Sequence, residues 1–316
     1  MLLAAGLTVA AVIVWRVGPG AVVHLIVRVG WAFPLIVAIL ALHIAVRAAG
    51  LWRVMLDDVV RYREVLRVRF AAEAVEILTF TGPFLAEPAK GWLLTRRGVA
   101  TDTAYAAVAT EYLLYTVVSA MVALTALALL LARYTLPAGV HAAGVLVMIV
   151  MLVFVGAFVF ASVTGIGLIV PILRASRVVI GRSAISAADR FDRIEDLIVT
   201  FLHRHRSRLV QVVAIEAAAN ALWVVDMWIT FVALGYPRSW SDSLMVEGSG
   251  KFVSIAFAFI PGQLGASEGV NALLAASIGL PAAAGVSVAL VRRLRSLVVA
   301  VAGLASLTRA RGGRQP

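Results

Sequence analysis

The chain has no cysteine among its 316 residues, which excludes disulfides, thiolate chemistry and cysteine-ligated metals. Charge is also scarce. Asp, Glu, Lys and Arg make up 14% against 62% hydrophobic residues, and the mean hydropathy is +0.98. A soluble domain of this length needs far less apolar surface, and several apolar runs exceed the roughly 20 residues that cross a bilayer. No Walker sequence, no G-x-G-x-x-G after a strand, no G-x-S-x-G and no H-E-x-x-H occurs. ATP hydrolysis and the common hydrolase chemistries therefore have no signature here. The opening stretch, MLLAAGLTVAAVIVW, lacks the positive n-region and small-residue cleavage site of a secretory signal, and reads as a retained helix.

What is present is the pattern of an all-α polytopic membrane protein forming one transmembrane domain over 1–316. Apolar runs near 1–16, 32–52, 103–131, 139–163, 209–235 and 282–307 predict six spanning helices. Two further segments, about 69–95 and 244–279, are interrupted at Gly82-Pro83 and at Pro261-Gly262, with Gly265 close behind. Such breaks free backbone groups that lipid cannot satisfy, so they belong where protein or water surrounds them. They are read as re-entrant hairpins, each entering and leaving on one side.

The net charge of +11 is not a nucleic-acid signature in this setting, because most basic residues sit between apolar runs, where they set orientation. With both hairpins turning back, the connections 53–69, 96–102, 164–208 and 309–316 hold eighteen arginines; the opposite side holds four, at Arg16, Arg28, Arg133 and Arg238. That bias puts both termini in the cytoplasm of a cell inner membrane. The longest connection, 164–208, carries Phe191, Ile194, Ile198 and Phe201 on one helical stripe, with Ser186 as N-cap and charged residues opposite. It reads either as a solvated connector or as a helix lying on anionic headgroups.

Glu87 and Glu268 are 181 residues apart, and the same offset brings Leu93 to Leu274, Gly98 to Gly279, Leu113 to Leu294, and Glu111 to Arg292. Identity is low, yet the organisation recurs: a proline break, a glutamate, a short helix, a glycine, then a long helix with a charge inside. The motifs span about 69–131 and 244–307. With one hairpin entering from each side, this predicts an inverted-topology repeat, the build by which transporters expose a midplane site alternately.

Ionisable residues inside a bilayer are costly and functional by default. This chain has Glu73, Glu76, Glu87, Lys90, Glu111, Glu216, Asp226, Glu247, Lys251, Glu268, Arg292, Arg293 and Arg295 within apolar segments. Some are spaced as helical ion pairs, Glu87 with Lys90 and Glu247 with Lys251. Glu111 and Glu268 are candidates to neutralise Arg292 or Arg295. The cluster Arg292, Arg293 and Arg295 suits a phosphate or carboxylate headgroup, as do the helix N-termini after the breaks. Asn271, Glu216, Asn220 and Asp226 are further cavity candidates, and His203 and His205 lack metal-ligand spacing. No metal or cofactor is implied.

The stretches TFTGPFLAEPAKGWLLTRRGVATDTAYAAVATEYLLYTVV and FIPGQLGASEGVNALLAASIGLPAAAGVSVALVRR together resemble the transmembrane domain of the lysylphosphatidylglycerol synthase, or flippase-like, family. Glu87, Glu111, Pro261, Gly262, Gly265, Glu268 and Arg292 occupy the positions of that family's motifs, over nearly the whole chain. One departure is Tyr112, which stands where an arginine usually follows the acidic residue. The soluble aminoacyl-transferring domain is also missing after Leu307, so the resemblance implies translocation without synthesis, and some relatives are associated with hopanoid or other isoprenoid lipids. The expected function is binding and moving a polar-headed lipid, anionic or isoprenoid-related, with no enzymatic step required. Two other classes stay open: a membrane-embedded transferase on an isoprenoid lipid with Glu87 or Glu268 as general base, and a non-catalytic partner of a lipid-modifying enzyme docking through 164–208.

Overall fold

The structure is a computed structural model that describes residue 20 and residues 27–56, 59–79, 83–164, 184–256 and 266–311. The first expected span, 1–16, and the break residues Gly82, Pro261, Gly262 and Gly265 lie outside the described residues. Among the described residues ten helices carry the fold: α1 (Ala32–Val54), α2 (Tyr62–Thr79), α3 (Pro83–Thr95), α4 (Thr101–Arg133), α5 (Ala138–Thr164), α6 (Ala184–Arg204), α7 (Arg206–Ala233), α8 (Trp240–Ala256), α9 (Ala266–Ser277) and α10 (Ala282–Arg311). No strand occurs among the described residues. Proline marks three helix starts, as Pro83 at the first position of α3 and as Pro137 and Pro281 just before α5 and α10, where a missing N–H costs nothing.

Among the described residues four helices, α1, α4, α5 and α7, are long and apolar enough to cross a membrane. The sixth expected span corresponds to α10, which at 30 residues is about 45 Å long, but its first half carries Arg292, Arg293 and Arg295. Its charge, not its length, sets it apart. α5 packs against α4 and α6 and exposes Leu146, Ile149, Leu152, Val153, Phe160 and Val163, a surface suited to hydrocarbon.

The offset of 181 extends further than the sequence suggested. It maps α1, α2, α3 and α4 onto α7, α8, α9 and α10 in order, each boundary falling within seven residues of its counterpart. The turns repeat at the level of single hydrogen bonds. After α3, Gly98 (φ +92°) donates to the Thr95 carbonyl and Val99 to the Leu94 carbonyl; after α9, Gly279 (φ +77°) donates to Ala276 and Leu280 to Ala275. Both are Schellman ends with glycine in the left-handed position. Packing obeys the same exchange: α2 lies on α10 and α8 on α4, while α1 and α7 pack on each other.

Each α2–α3 and α8–α9 pair begins and ends at one end of the bundle. Arg97, just after α3, bonds Glu64 in the first turn of α2 at 3.0 Å, and Arg238, just before α8, reaches the carbonyl of Gly279, just after α9, at 3.4 Å. One apolar cluster, around Leu51, Val65, Leu94 and Ala104, fills the first end; another, around Phe231, Met245, Ile278 and Ala284, fills the second. Buried charges lie between them.

Two expectations about 164–208 change. Ser186 is inside α6 rather than capping it. The stripe of α6 faces protein, since Ile198 and Phe201 are buried in the first apolar cluster with Ile194 against it, and Arg193 holds Asp102 of α4 at 2.8 Å. Ile194, Ile198 and Phe201 of its apolar stripe are therefore spent on the bundle.

Between lipid-embedded helices, close backbone approach replaces the hydrophobic effect as the packing force. A Cβ on Gly303 of α10 would lie 2.3 Å from the Phe70 carbonyl oxygen of α2, and one on Gly248 of α8 would lie 2.4 Å from Ala126 of α4. These are the two exchange-related helix pairs. Gly303→Ala and Gly248→Ala should each lower stability by about 1–3 kcal/mol through overpacking. Gly156→Ala, in open space on α5, should raise it by up to about 1 kcal/mol. Thermal unfolding of the detergent-purified variants measures all three, and glycine changes without effect would mean the helix pairs are looser than described.

Candidate functional site

Two ion clusters sit in the bundle, built from corresponding helices with the charges reversed. In the first, Glu111 of α4 is fully buried, and its Oε1 accepts from Arg47 of α1 at 3.1 and 2.7 Å and from Arg69 of α2 at 2.9 Å. In the second, Arg292 of α10 donates to Glu247 of α8, and its Nε lies 4.0 Å from Asp226 of α7. Asp226, fully buried, also accepts from Arg295. Glu111 and Arg292 are related by the 181 offset, and Asp226 and Glu247 fall within one helical turn of the positions equivalent to Arg47 and Arg69. An acid gripped by two bases in one half is answered by a base gripped by two acids in the other.

The clusters sit at matching depths. Glu111 is ten residues from the start of α4 and Arg292 ten from the start of α10, about 15 Å along each. Glu216 of α7 stands in the first cluster, 3.5 Å from Arg47, and Asp226 is ten residues further along the same helix, again about 15 Å. The interval is polar. Asn220 accepts from Lys251 of α8 at 2.8 Å and from Ser119 of α4 at 3.0 Å, and Lys251 is 3.8 Å from Glu247. Tyr115 lies under the Arg47 guanidinium at 3.5 Å and 5.7 Å from Lys251. On the other side, Arg295 stacks over Trp223, which also meets His43. His43 Nδ1 is 3.0 Å from the Ala219 carbonyl oxygen. Charge, amide and aromatic faces thus form one seam from Arg69 to Arg295.

The expected pairs within a helix are present, with Lys90 and Glu87 at 2.6 Å. The cross-helix assignments differ. Glu111 neutralises neither Arg292 nor Arg295, because it stands about 15 Å along α4 from the opposite end of the bundle; Glu268 pairs with Arg293 at 2.7 Å instead. Arg292, Arg293 and Arg295 each have an acidic partner, so they are not a surplus of positive charge. Asn271 turns its amide onto the Ser267 carbonyl of its own helix at 2.8 Å. Pro83 begins α3. Among the described residues no group of three or more His, Asp or Glu is placed to hold a metal ion.

Arg47 and Arg69 are the residues that sequence reasoning passed over. By sequence Arg69 closes the charged connection 53–69, but it is the eighth of the 18 residues of α2, near the middle of the helix, and is 3% exposed. Arg47 carried its own signal, the one arginine inside the apolar run 32–52. Tyr112, in the place of the family's usual arginine, leaves no deficit, because the two arginines on Glu111 come from other helices.

Exposure separates an interior from an entrance. The side chains of Glu111, Glu216 and Asp226 are inaccessible, whereas those of Arg292, Glu268, Glu87 and Arg293 retain 24, 19, 16 and 15%. Removing one member of a buried pair strands the other, which costs about 3–5 kcal/mol. Asp226→Ala should therefore destabilise the protein by about that amount, and the exchange of Asp226→Arg with Arg295→Asp should recover part of it. Thermal unfolding of the single and double variants decides. A single variant within about 0.5 kcal/mol of wild type would remove the second cluster from the stability argument.

The family model described as the lysylphosphatidylglycerol synthase TM region matches residues 3–303. No curated protein and no solved structure matches the chain.

Proposed function

We propose, since the chain belongs to the lysylphosphatidylglycerol synthase TM-region family, that this membrane protein, already related by that family to lipid handling, moves a polar-headed lipid by passing its headgroup along the seam. The observation that carries the reading is the row of mutually neutralised charges between two apolar ends of a bundle. A headgroup entering such a row exchanges ion partners instead of meeting bare hydrocarbon. The desolvation of the arginines and carboxylates is met during folding, so each exchange replaces one buried pair by another.

Entry fits the less buried members. A lipid phosphate at Arg293 would take the place of the Glu268 carboxylate, or that of Glu247 at Arg292, as a bidentate acceptor. The displaced carboxylate would then suit an ammonium on the same headgroup. The charge balance supports a headgroup carrying both signs at least as well as a simple anion. Hopanoid or other isoprenoid cargo rests on the family resemblance alone.

The α2–α3 and α8–α9 pairs, each with its two ends adjoining, support reading them as re-entrant hairpins from opposite sides, with both termini cytoplasmic in an inner membrane. The exchange of packing partners between the halves supports alternating access through an inverted repeat. Because the native chain lacks cysteine, single cysteines at Leu85 and Leu264 test it directly. The expected outcome is labelling from opposite sides of the membrane; labelling of both from one side removes the inverted arrangement.

The function itself is tested with headgroup-labelled anionic and aminoacylated lipids in liposomes containing the purified protein. Wild type should move lipid above the empty-liposome rate. Glu268→Gln and Arg292→Ala should lower the rate at least tenfold with the fold intact, while Val153→Ala on the exposed side of α5 should leave it unchanged. Equal rates in all variants would place the path elsewhere.

A further inference from the structure

Glu216 has no exposed surface, and neither of its carboxylate oxygens accepts a hydrogen bond. Arg47 Nε lies 3.5 Å from its Oε2, but that guanidinium is committed to Glu111, to which it donates from both Nε and Nη2. Arg69 donates to the same Oε1. One oxygen of the two glutamates thus accepts three hydrogen bonds, while Glu111 Oε2 and both oxygens of Glu216 accept none. A fully buried carboxylate without donors is among the costliest groups a low-dielectric interior can hold, and two carboxylates at one site do not both stay ionised.

We infer that Glu111 and Glu216 share one exchangeable proton, which makes the pair a proton-binding site at the first-end side of the seam. The O–H so formed supplies the missing donor, and the remaining negative charge stays on the carboxylate held by Arg47 and Arg69. A second observation closes the site to larger ligands. Gly50 of α1 lies so near that a Cβ there would be 2.6 Å from Glu216 Oε1, so the carboxyl abuts backbone with no room for a hydrated cation.

The neighbouring groups come from every helix packed on α7. His43 and Arg47 lie on α1, Arg69 on α2 beyond Glu111, Glu111 and Tyr115 on α4, and Lys251 on α8. Arg295 of α10 stands over Trp223, two turns further along α7. α6 brings His203 and Arg204 near the start of α7, three turns before Glu216. With backbone against the carboxyl at Gly50, the pair has no room for a hydrated metal ion and the proton is left as ligand. Any shift of α1 against α4 that parts Arg47 from Glu111 alters which carboxylate is ionised, and with it proton occupancy.

The test is infrared difference spectroscopy of the protein in lipid, titrated between neutral and alkaline pH in light and heavy water. Wild type should show the C=O stretch of a buried protonated carboxyl that shifts in heavy water and vanishes as pH rises. Glu216→Gln, close in shape to the protonated acid, should fold as wild type and lack the band. Glu111→Gln should lack it as well, because Glu216 then ionises against Arg47. Absence of the band in wild type, or its survival in both variants, overturns the proposal; so does its loss on adding sodium at constant pH, which would mean a metal cation binds there. The measurement needs no cargo, so a protein that moves no lipid yet shows this band loses the lipid reading and keeps the proton site.

Discussion

Three hydrogen bonds converge on one oxygen of Glu111, from two arginines that belong to two other helices. In water such a contact would add little, since exposed pairs contribute about 0–1 kcal/mol. In a bundle set in hydrocarbon the alternative to pairing is an ion without solvent, and the relative placement of α1, α2 and α4 is therefore tied to it. The same constraint fixes α7, α8 and α10 through Asp226, Glu247, Arg292 and Arg295. Leucine against leucine specifies neither rotation nor register in lipid. Charge does, together with the glycines that let α2 meet α10 and α8 meet α4 closely.

The two clusters also account for why so little identity survives at an offset that the fold obeys closely. What recurs is position and pairing; the sign of each charge is free to reverse provided its partners reverse with it. Glu111 and Arg292 are equivalent sites with opposite chemistry, and a comparison of letters scores them as a mismatch. The backbone features cannot reverse in this way. Gly98 and Gly279 must both be glycine-like because both occupy the left-handed end of a short helix, so they agree in residue and in hydrogen bonding alike.

That difference decides what was legible in the sequence. Helical class, the turn glycines and the offset follow from local pattern and reappear in the described residues, whereas the break residues Gly82, Pro261, Gly262 and Gly265 lie outside them. The inclusion of α1 and α7 in the repeat was missed, since neither has a proline break nor a shared motif, although shifting 32–54 by 181 lands on 213–235, most of α7. Partner assignments across helices were the least legible. They depend on the rotation of each helix about its axis, which a nearly all-apolar sequence with little amphipathic contrast does not encode. Arg69 shows the cost: by position it sits near the end of a loop-like charged stretch, but its helix begins at Tyr62 and turns it inward onto Glu111.

On the proposed lipid reading, two clusters about 15 Å apart along α7 give the headgroup's passage two places of charge exchange rather than one. At a single midplane site, the cation and anion of the cargo must be taken and released together, with half the hydrocarbon, about 15 Å, to cross on each side. The cargo's anion is then received at the second cluster, where carboxylates surround an arginine, and its cation by the carboxylate so displaced, while the first cluster, closed beside Gly50, exchanges only a proton. Between them Asn220, Lys251 and Tyr115 offer an amide, an ammonium and an aromatic face to a group in transit. Neither exchange then leaves a charge without a partner.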